Sequence, residues 1–205
     1  MKFPNKKYKK IKSFFEDYID NLMSIKNIDL KKLEQASDLI ERTIKKNKKI
    51  FVGGNGGSTS ITNHYLCDYL KLLRTKTNLK PKIISLSSSL ELITAIANDI
   101  SYEKIFTYQA ECLVEKGDIF IIISSSGNSK NILDLAKFAK KNKNLIIGFT
   151  GFNGGKLKNI SDIPIHFQKK NYGLSEDVHH ILMHILMQFL RQKYMKNNHL
   201  KTTYF

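Results

Sequence analysis

The stretch that most constrains this chain of 205 residues is Asp118-Ile-Phe-Ile-Ile-Ile, followed by Ser124-Ser125-Ser126-Gly127-Asn128-Ser129. Five apolar residues in a row, four of them β-branched, read as a strand buried on both faces. Such a strand needs a helical layer on each side. The chain carries matching pieces. Ile50–Val52 is a short apolar strand ending in glycines, Pro81–Ser87 and Leu145–Thr150 give two more, and Asp162–His166 gives a fifth. Pro164 makes that last one an edge strand. Helical stretches lie between them. Ile132, Leu135, Ala136 and Ala139 form an i, i+3, i+4, i+7 stripe, residues 101–115 are expected to be helical, and a last helix over about 176–194 carries Val178, Ile181, Leu182, Ile185, Leu186 and Phe189. Alternating strands and helices predict an α/β fold, a five-stranded parallel sheet covered on both faces.

Two helices precede the first strand. Ile11, Phe14, Phe15, Tyr18, Ile19 and Leu22 have helical spacing; then Asp29 can cap a helix carrying Leu33, Ala36, Ile40 and Ile44, with a basic end at Lys45–Lys49. These helices either pack on the domain or build a subunit interface. Residues 151–160, with Gly151, Gly154 and Gly155, read as a loop, and 195–205 as a polar, basic end that frays. There is no repeat and no linker, so one domain is expected over 1–205. It divides into N-terminal helices (1–47), an α/β core (48–194) and a basic tail (195–205).

At 41% hydrophobic and 25% charged residues the chain has the balance of an ordinary soluble globular protein. No apolar run is long enough for a membrane span, and the lysine-rich start lacks the apolar core of a secretory signal. Cys67 and Cys112 form no disulfide framework and fit free thiols in a reducing cytoplasm. The net charge of +16 raises the question of nucleic acid. The lysines are spread over helix faces and both ends, with no nucleic-acid motif, so nucleic acid is not an expected partner. The charge reads as solvated faces with a mild attraction for anionic substrates.

Three places carry chemistry. Phe51-Val52-Gly53-Gly54-Asn55-Gly56-Gly57-Ser58 is a strand end, a glycine turn and a helix start, which lets the backbone approach an anion. Ser124, Ser125, Ser126 and Ser129 follow the buried strand and open a helix, and hydroxyls there can donate to phosphate oxygens. Histidines and carboxylates recur at helical spacing: His64 and Asp68 are four apart, and so are Glu176, His180 and His184 in turn. Such sets bind zinc or move protons. The alternative is a helix that merely exposes polar residues, and His179 or His180 fits that description. His64, Asp68, Glu176 and His184 together make two histidines and two carboxylates, a complete set for zinc. Asn98-Asp99 alone reads as a helix end and turn.

The ordered set GGNGGS, H-x3-D, AIAND, SSSGNS and E-D-V-H-x4-H resembles the sugar isomerase (SIS) domain family, over about residues 10–193. It looks closest to the phosphoheptose isomerases. Phe149-Thr150-Gly151 with Gly154-Gly155-Lys156 resembles that family's fourth-strand turn. The resemblance implies a flavodoxin-like, doubly wound sheet and a homotetramer with active sites at subunit interfaces. It implies an aldose–ketose isomerase that takes sedoheptulose 7-phosphate to D-glycero-D-manno-heptose 7-phosphate through an enediol, with zinc, in the heptose supply of a bacterial cytoplasm. Asn55, Gly56, Gly57 and Ser58 match the first substrate loop, and Ser124, Ser125, Ser126 and Ser129 the phosphate loop. Asn98 and Asp99 match substrate-contacting positions, and His64 and His184 the histidine ligands of zinc. Two positions depart: Asp68 stands where the family has glutamate, and Glu176 where it has glutamine. Asp68 and His184 are then the expected proton carriers. The alternatives are another phosphosugar as substrate, or a non-catalytic tetrameric adaptor of the kind that binds the bacterial replication initiator.

Overall fold

The computed structural model describes residues 3–202. All six residues of the strand Ile119–Ser124 are buried, as its unbroken apolar run demands. It is β3 of a sheet whose other strands are β1 (Lys49–Gly54), β2 (Lys82–Ser85), β4 (Leu145–Thr150) and β5 (Ile163–His166). All pair in parallel, in the order β2-β1-β3-β4-β5. That is the flavodoxin-like order, and β5 is an edge strand, as Pro164 requires.

Alternation along the strands sorts the core into two layers. Ile50, Val52, Ile119, Ile121, Ile123, Ile147 and Phe149 face one side. There they meet α2 (Leu30–Lys45), α3 (Gly57–Cys67) and α8 (Tyr172–Tyr194), with α1 (Ile11–Met23) packed outside. Phe51, Phe120, Ile122 and Ile146 face the other side, against α4 (Leu90–Asp99), α5 (Thr107–Leu113), α6 (Lys130–Lys141) and α7 (Gly155–Ile160). Phe51 and Phe120 stack there, ring centroids 5.1 Å apart.

Asp29 caps α2 as expected, accepting from the N–H groups of Lys31 and Lys32 at 3.0 and 3.2 Å. The apolar positions of α1 divide. Phe14, Tyr18 and Leu22 pack inward, whereas Ile11, Phe15 and Ile19 are exposed. Residues 101–115 split into a 3-10 turn at Tyr102–Lys104 and α5, rather than one helix. Residues 151–160 are not all loop: α7 starts at Gly155, because Gly154 in the left-handed region turns the chain and the fully buried Leu157 anchors the new helix. In the tail, Asn197–Leu200 forms α9, and 203–205 lie outside the described residues, as do 1 and 2.

The chain end of α8 is clamped to α2 by Glu41. Its carboxylate accepts from Lys193 at 2.7 Å, from Lys45 at 2.8 Å, and from the Tyr194 hydroxyl. Burial alone would raise its pKa, but the bonds from Lys193, Lys45 and Tyr194 outweigh that and hold it at about 2. A carboxylate held below its unfolded value adds stability above that value and loses it as pH falls through the folded one. Glu41→Gln should therefore cost about 1–3 kcal/mol at neutral pH, or ~2–4 °C in Tm for each kcal/mol in a chain of this size. In thermal melts the gap between variant and parent should close as pH drops from the ordinary carboxylate range toward 2. A gap that persists at the acid end would mean that Glu41 acts by packing and not by charge.

Candidate active site

In the order 2-1-3-4-5 the connections after β1 and β3 leave toward opposite faces, and a crevice opens between them. The glycine turn and the serine run lie at that point. Gly53 and Gly54 pair with Ile122 and Ile123, so the two loops start level with each other. Gly56 adopts φ 54° and ψ −124°, a conformation natural only to glycine, and starts α3 without a side-chain cap. The serine loop is held from within: Ser124 Oγ accepts from the Gly127 N–H at 3.1 Å, and Ser126 Oγ from the Asn128 N–H at 3.3 Å. Between the loops is a cleft of about 320 Å³, lined by Asn55, Gly56, Gly57, Ser58, Ser124, Ser125, Ser126, Ser129 and Glu176. Ser125 Oγ is buried there without a hydrogen-bond partner. A bare buried hydroxyl is costly, and an anion in the cleft would relieve it. The other two expected contacts, Asn98 and Asp99, are not in this lining. They end α4 on the exposed surface, where Asn98 donates to Asp99 at 2.7 Å.

The second cluster sits further along the same two helices. His64 lies on α3, and Asp68 begins a π turn (Asp68–Leu72), the kind of helical irregularity that gathers at functional sites. Asp68 is 2% exposed. Its Oδ1 is 3.4 Å from His64 Nε2 and its Oδ2 is 3.3 Å from His184 Nε2. The two imidazole nitrogens are 3.1 Å apart. His180 joins them: ligand nitrogens of His64, His180 and His184 all lie within 4.8 Å of one another. His180 Nε2 is buried without a hydrogen-bond partner. Converging nitrogens, a buried carboxylate and a bare polar atom fit zinc.

Glu176 occupies a different place. Its carboxylate lies over Gly57, where an added Cβ would come within 2.3 Å of Oε2. Burial, and then the neighbouring Asp177, raise its pKa above the ordinary carboxylate value. His179, which the sequence allows on an exposed face, is instead in the core against Phe149, and burial drives its pKa down to about 4. His180 is held below the ordinary imidazole value by burial first, then by His184 and His64. Both placements follow from α8 being covered on several sides, by β4, α2 and α3.

Three further residues have no place in the sequence reading. Tyr172 lines the cleft. Asn131 is fully buried and exchanges amide hydrogen bonds with Asn55, both at 2.8 Å, tying the two loops together. Tyr102 donates to the same Asn55 oxygen at 3.1 Å. The available signal for Asn131 is a polar residue beside the buried stripe of α6.

A model of the SIS domain matches residues 13–151. A probable phosphoheptose isomerase of Thermoplasma acidophilum is 32% identical over 169 residues, covering 82% of this chain and 92% of the relative. A phosphoheptose isomerase of Buchnera aphidicola is 34% identical over 196 residues, covering 93% of this chain and all of the relative (100%). Among solved structures, the phosphoheptose isomerase of Neisseria gonorrhoeae superposes with a TM-score of 0.81 at 24% identity, over 89% of this chain and 97% of that one.

Removing the bare hydroxyl separates stability from binding. Ser125→Ala should leave the melting temperature of the ligand-free protein unchanged or raised, since no bond is lost. It should weaken protection by inorganic phosphate about tenfold, the worth of one hydrogen bond to a charged group. The readout is the phosphate concentration giving half the thermal shift. A destabilised variant with unaltered phosphate response would show the hydroxyl to be structural.

Proposed function

This chain belongs to the SIS domain family, and we propose that it interconverts sedoheptulose 7-phosphate and D-glycero-D-manno-heptose 7-phosphate in a zinc-assisted aldose–ketose isomerisation. The coarser statement, a sugar-phosphate isomerase, stands on relatives aligned over most of the chain. The observation that carries the finer reading is the convergence on α3 and α8 of an anion cradle and a histidine–aspartate cluster.

In this reading Ser124, Ser125, Ser126 and Ser129 hold the phosphate with the amides at the α6 start, and Asn55 to Ser58 close the opposite wall. Fixing the far end of the sugar makes the proton transfers at C1 and C2 intramolecular in effect. From ketose to aldose, a base takes a proton from C1 and returns it to C2, while another proton passes from O1 to O2. Asp68, expected to carry a proton, has both oxygens turned toward imidazole nitrogens. Glu176 is open to the cleft, and its raised pKa suits a group that must take up and give back a proton. We assign it the transfer at carbon and His184 the transfer between oxygens. His64, Asp68 and His184 would hold zinc, which supplies Lewis-acid polarisation of the substrate carbonyl when bound.

The exposed apolar positions Ile11, Phe15 and Ile19 on α1 and Ile185 and Phe189 on α8 support the homotetramer that the resemblance implies. Among the described residues no helix is long and apolar enough to cross a membrane, which accords with a cytoplasmic site of action.

The test is an assay with sedoheptulose 7-phosphate and zinc, following the aldose by NMR with a chelated control. Zinc-dependent turnover is expected, and His184→Ala should lose about 10²–10⁴-fold in kcat, the usual share of an acid–base group, with its circular dichroism unchanged. A folded, zinc-loaded protein without turnover would rule out this substrate, and full activity in the variant would remove His184 from the chemistry.

A further inference from the structure

We propose that the metal in this chain is held by three histidines and one aspartate, His180 taking the position that the sequence assigns to Glu176. The inference rests on the zinc-assisted reading above and concerns which residues reach the ion. Glu176, His180 and His184 form one stripe on α8, at i, i+4 and i+8. Position 176 is about 12 Å along the helix axis from 184, and position 180 about 6 Å, at 1.5 Å per residue. His180 thus stands between Glu176 and the cluster. Its ring stacks on that of His184, centroids 4.6 Å apart at 29°, and meets His64 edge-on at 4.8 Å. Its Nε2 is buried with nothing to bond to. A pair of histidines four apart on one helix is a proven way to grip zinc. The opposing helix presents a matching pair, His64 and Asp68, four apart.

The Glu176 carboxylate, meanwhile, is already placed. Both its oxygens lie within 2.5 Å of where a Gly57 Cβ would stand, so the missing side chain of Gly57 is the seat of this carboxylate. Charge distinguishes the two arrangements. Zinc with two neutral imidazoles and two carboxylates is formally neutral; with three imidazoles and Asp68 alone it keeps one positive charge. The second would draw electrons more strongly from a carbonyl and would leave Glu176 unbound, free to act as a base.

Zinc K-edge X-ray absorption on the zinc-loaded wild-type chain counts imidazole ligands without any mutation. Three are expected; two would overturn the proposal. Zinc affinity is then measured by competition with a chromophoric chelator, using His180→Gln and Glu176→Gln. His180→Gln should weaken binding by more than about 100-fold, beyond the 10–100-fold typical of an outer partner of a ligand, while Glu176→Gln keeps wild-type affinity. Affinity lost in Glu176→Gln and kept in His180→Gln would restore Glu176 to the ion and leave the isomerase reading intact. A wild-type protein that turns over without binding zinc would overturn both this ligand set and zinc assistance. Zinc bound by three histidines with no turnover on the heptose phosphate would strike the substrate assignment alone.

Discussion

No side chain fits between the end of β1 and the helix that follows it. A Cβ on Gly54 would lie 2.7 Å from Ser58 Cβ and 3.1 Å from the Ile123 carbonyl oxygen. That contact sets how closely α3 descends on the sheet, and much else depends on it. It levels the glycine turn with the serine loop, directs the start of α3 into the crevice, and fixes the distance from which His64 and Asp68 meet α8. The Asn55–Asn131 amide pair holds the two loops in that relation from the side. Close backbone packing thus performs the positioning that a flexible side chain could not.

The helix α8 joins the core to the chemistry. Leu174, Val178, Leu182, Leu186 and Leu190 seal one face against the sheet, while Glu176, His180 and His184 look toward α3. Burying the Asp68 carboxylate and the bare His180 Nε2 beside two further imidazoles is expensive unless something binds them. The fold accepts this cost because the rest of the helix is apolar and tightly packed. Glu41 secures its far end, and Tyr18 of α1 donates to Asp177 near its start.

Much of this was legible in the sequence because it depends on pattern. The unbroken apolar run of β3, the alternation of strand and helix, Pro164 at an edge and Asp29 as a cap each have one simple physical solution. The glycine turn and the serine loop at the strand ends were legible for the same reason, since glycine and serine clusters there have few other uses. The failures share a cause. Spacing along α8 places residues on stripes but does not say which stripe is covered, so buried His179 and clustered His180 could not be told from exposed polar residues. Three glycines over 151–160 signal a loop, yet all three serve close approach or the turn into α7. Asn131 is one polar residue beside an apolar stripe, and its partner Asn55 is far away in sequence. The apolar positions of α1 report two faces, and only three-dimensional packing separates them.

The seam between the loops after β3 and β4 is almost wholly backbone. A Cβ on Gly127 would fall 2.1 Å from the Gly154 carbonyl oxygen, and one on Gly155 2.5 Å from that of Ser126. Gly151 N–H donates to the Ser125 carbonyl at 3.1 Å, and Leu157 N–H to the Gly127 carbonyl at 3.0 Å. Joined in this way, the two loops form a single exchangeable part. Anyone grafting the serine loop onto a related scaffold would have to transplant the β4 connection with it, since either half alone arrives without the surface it was moulded against.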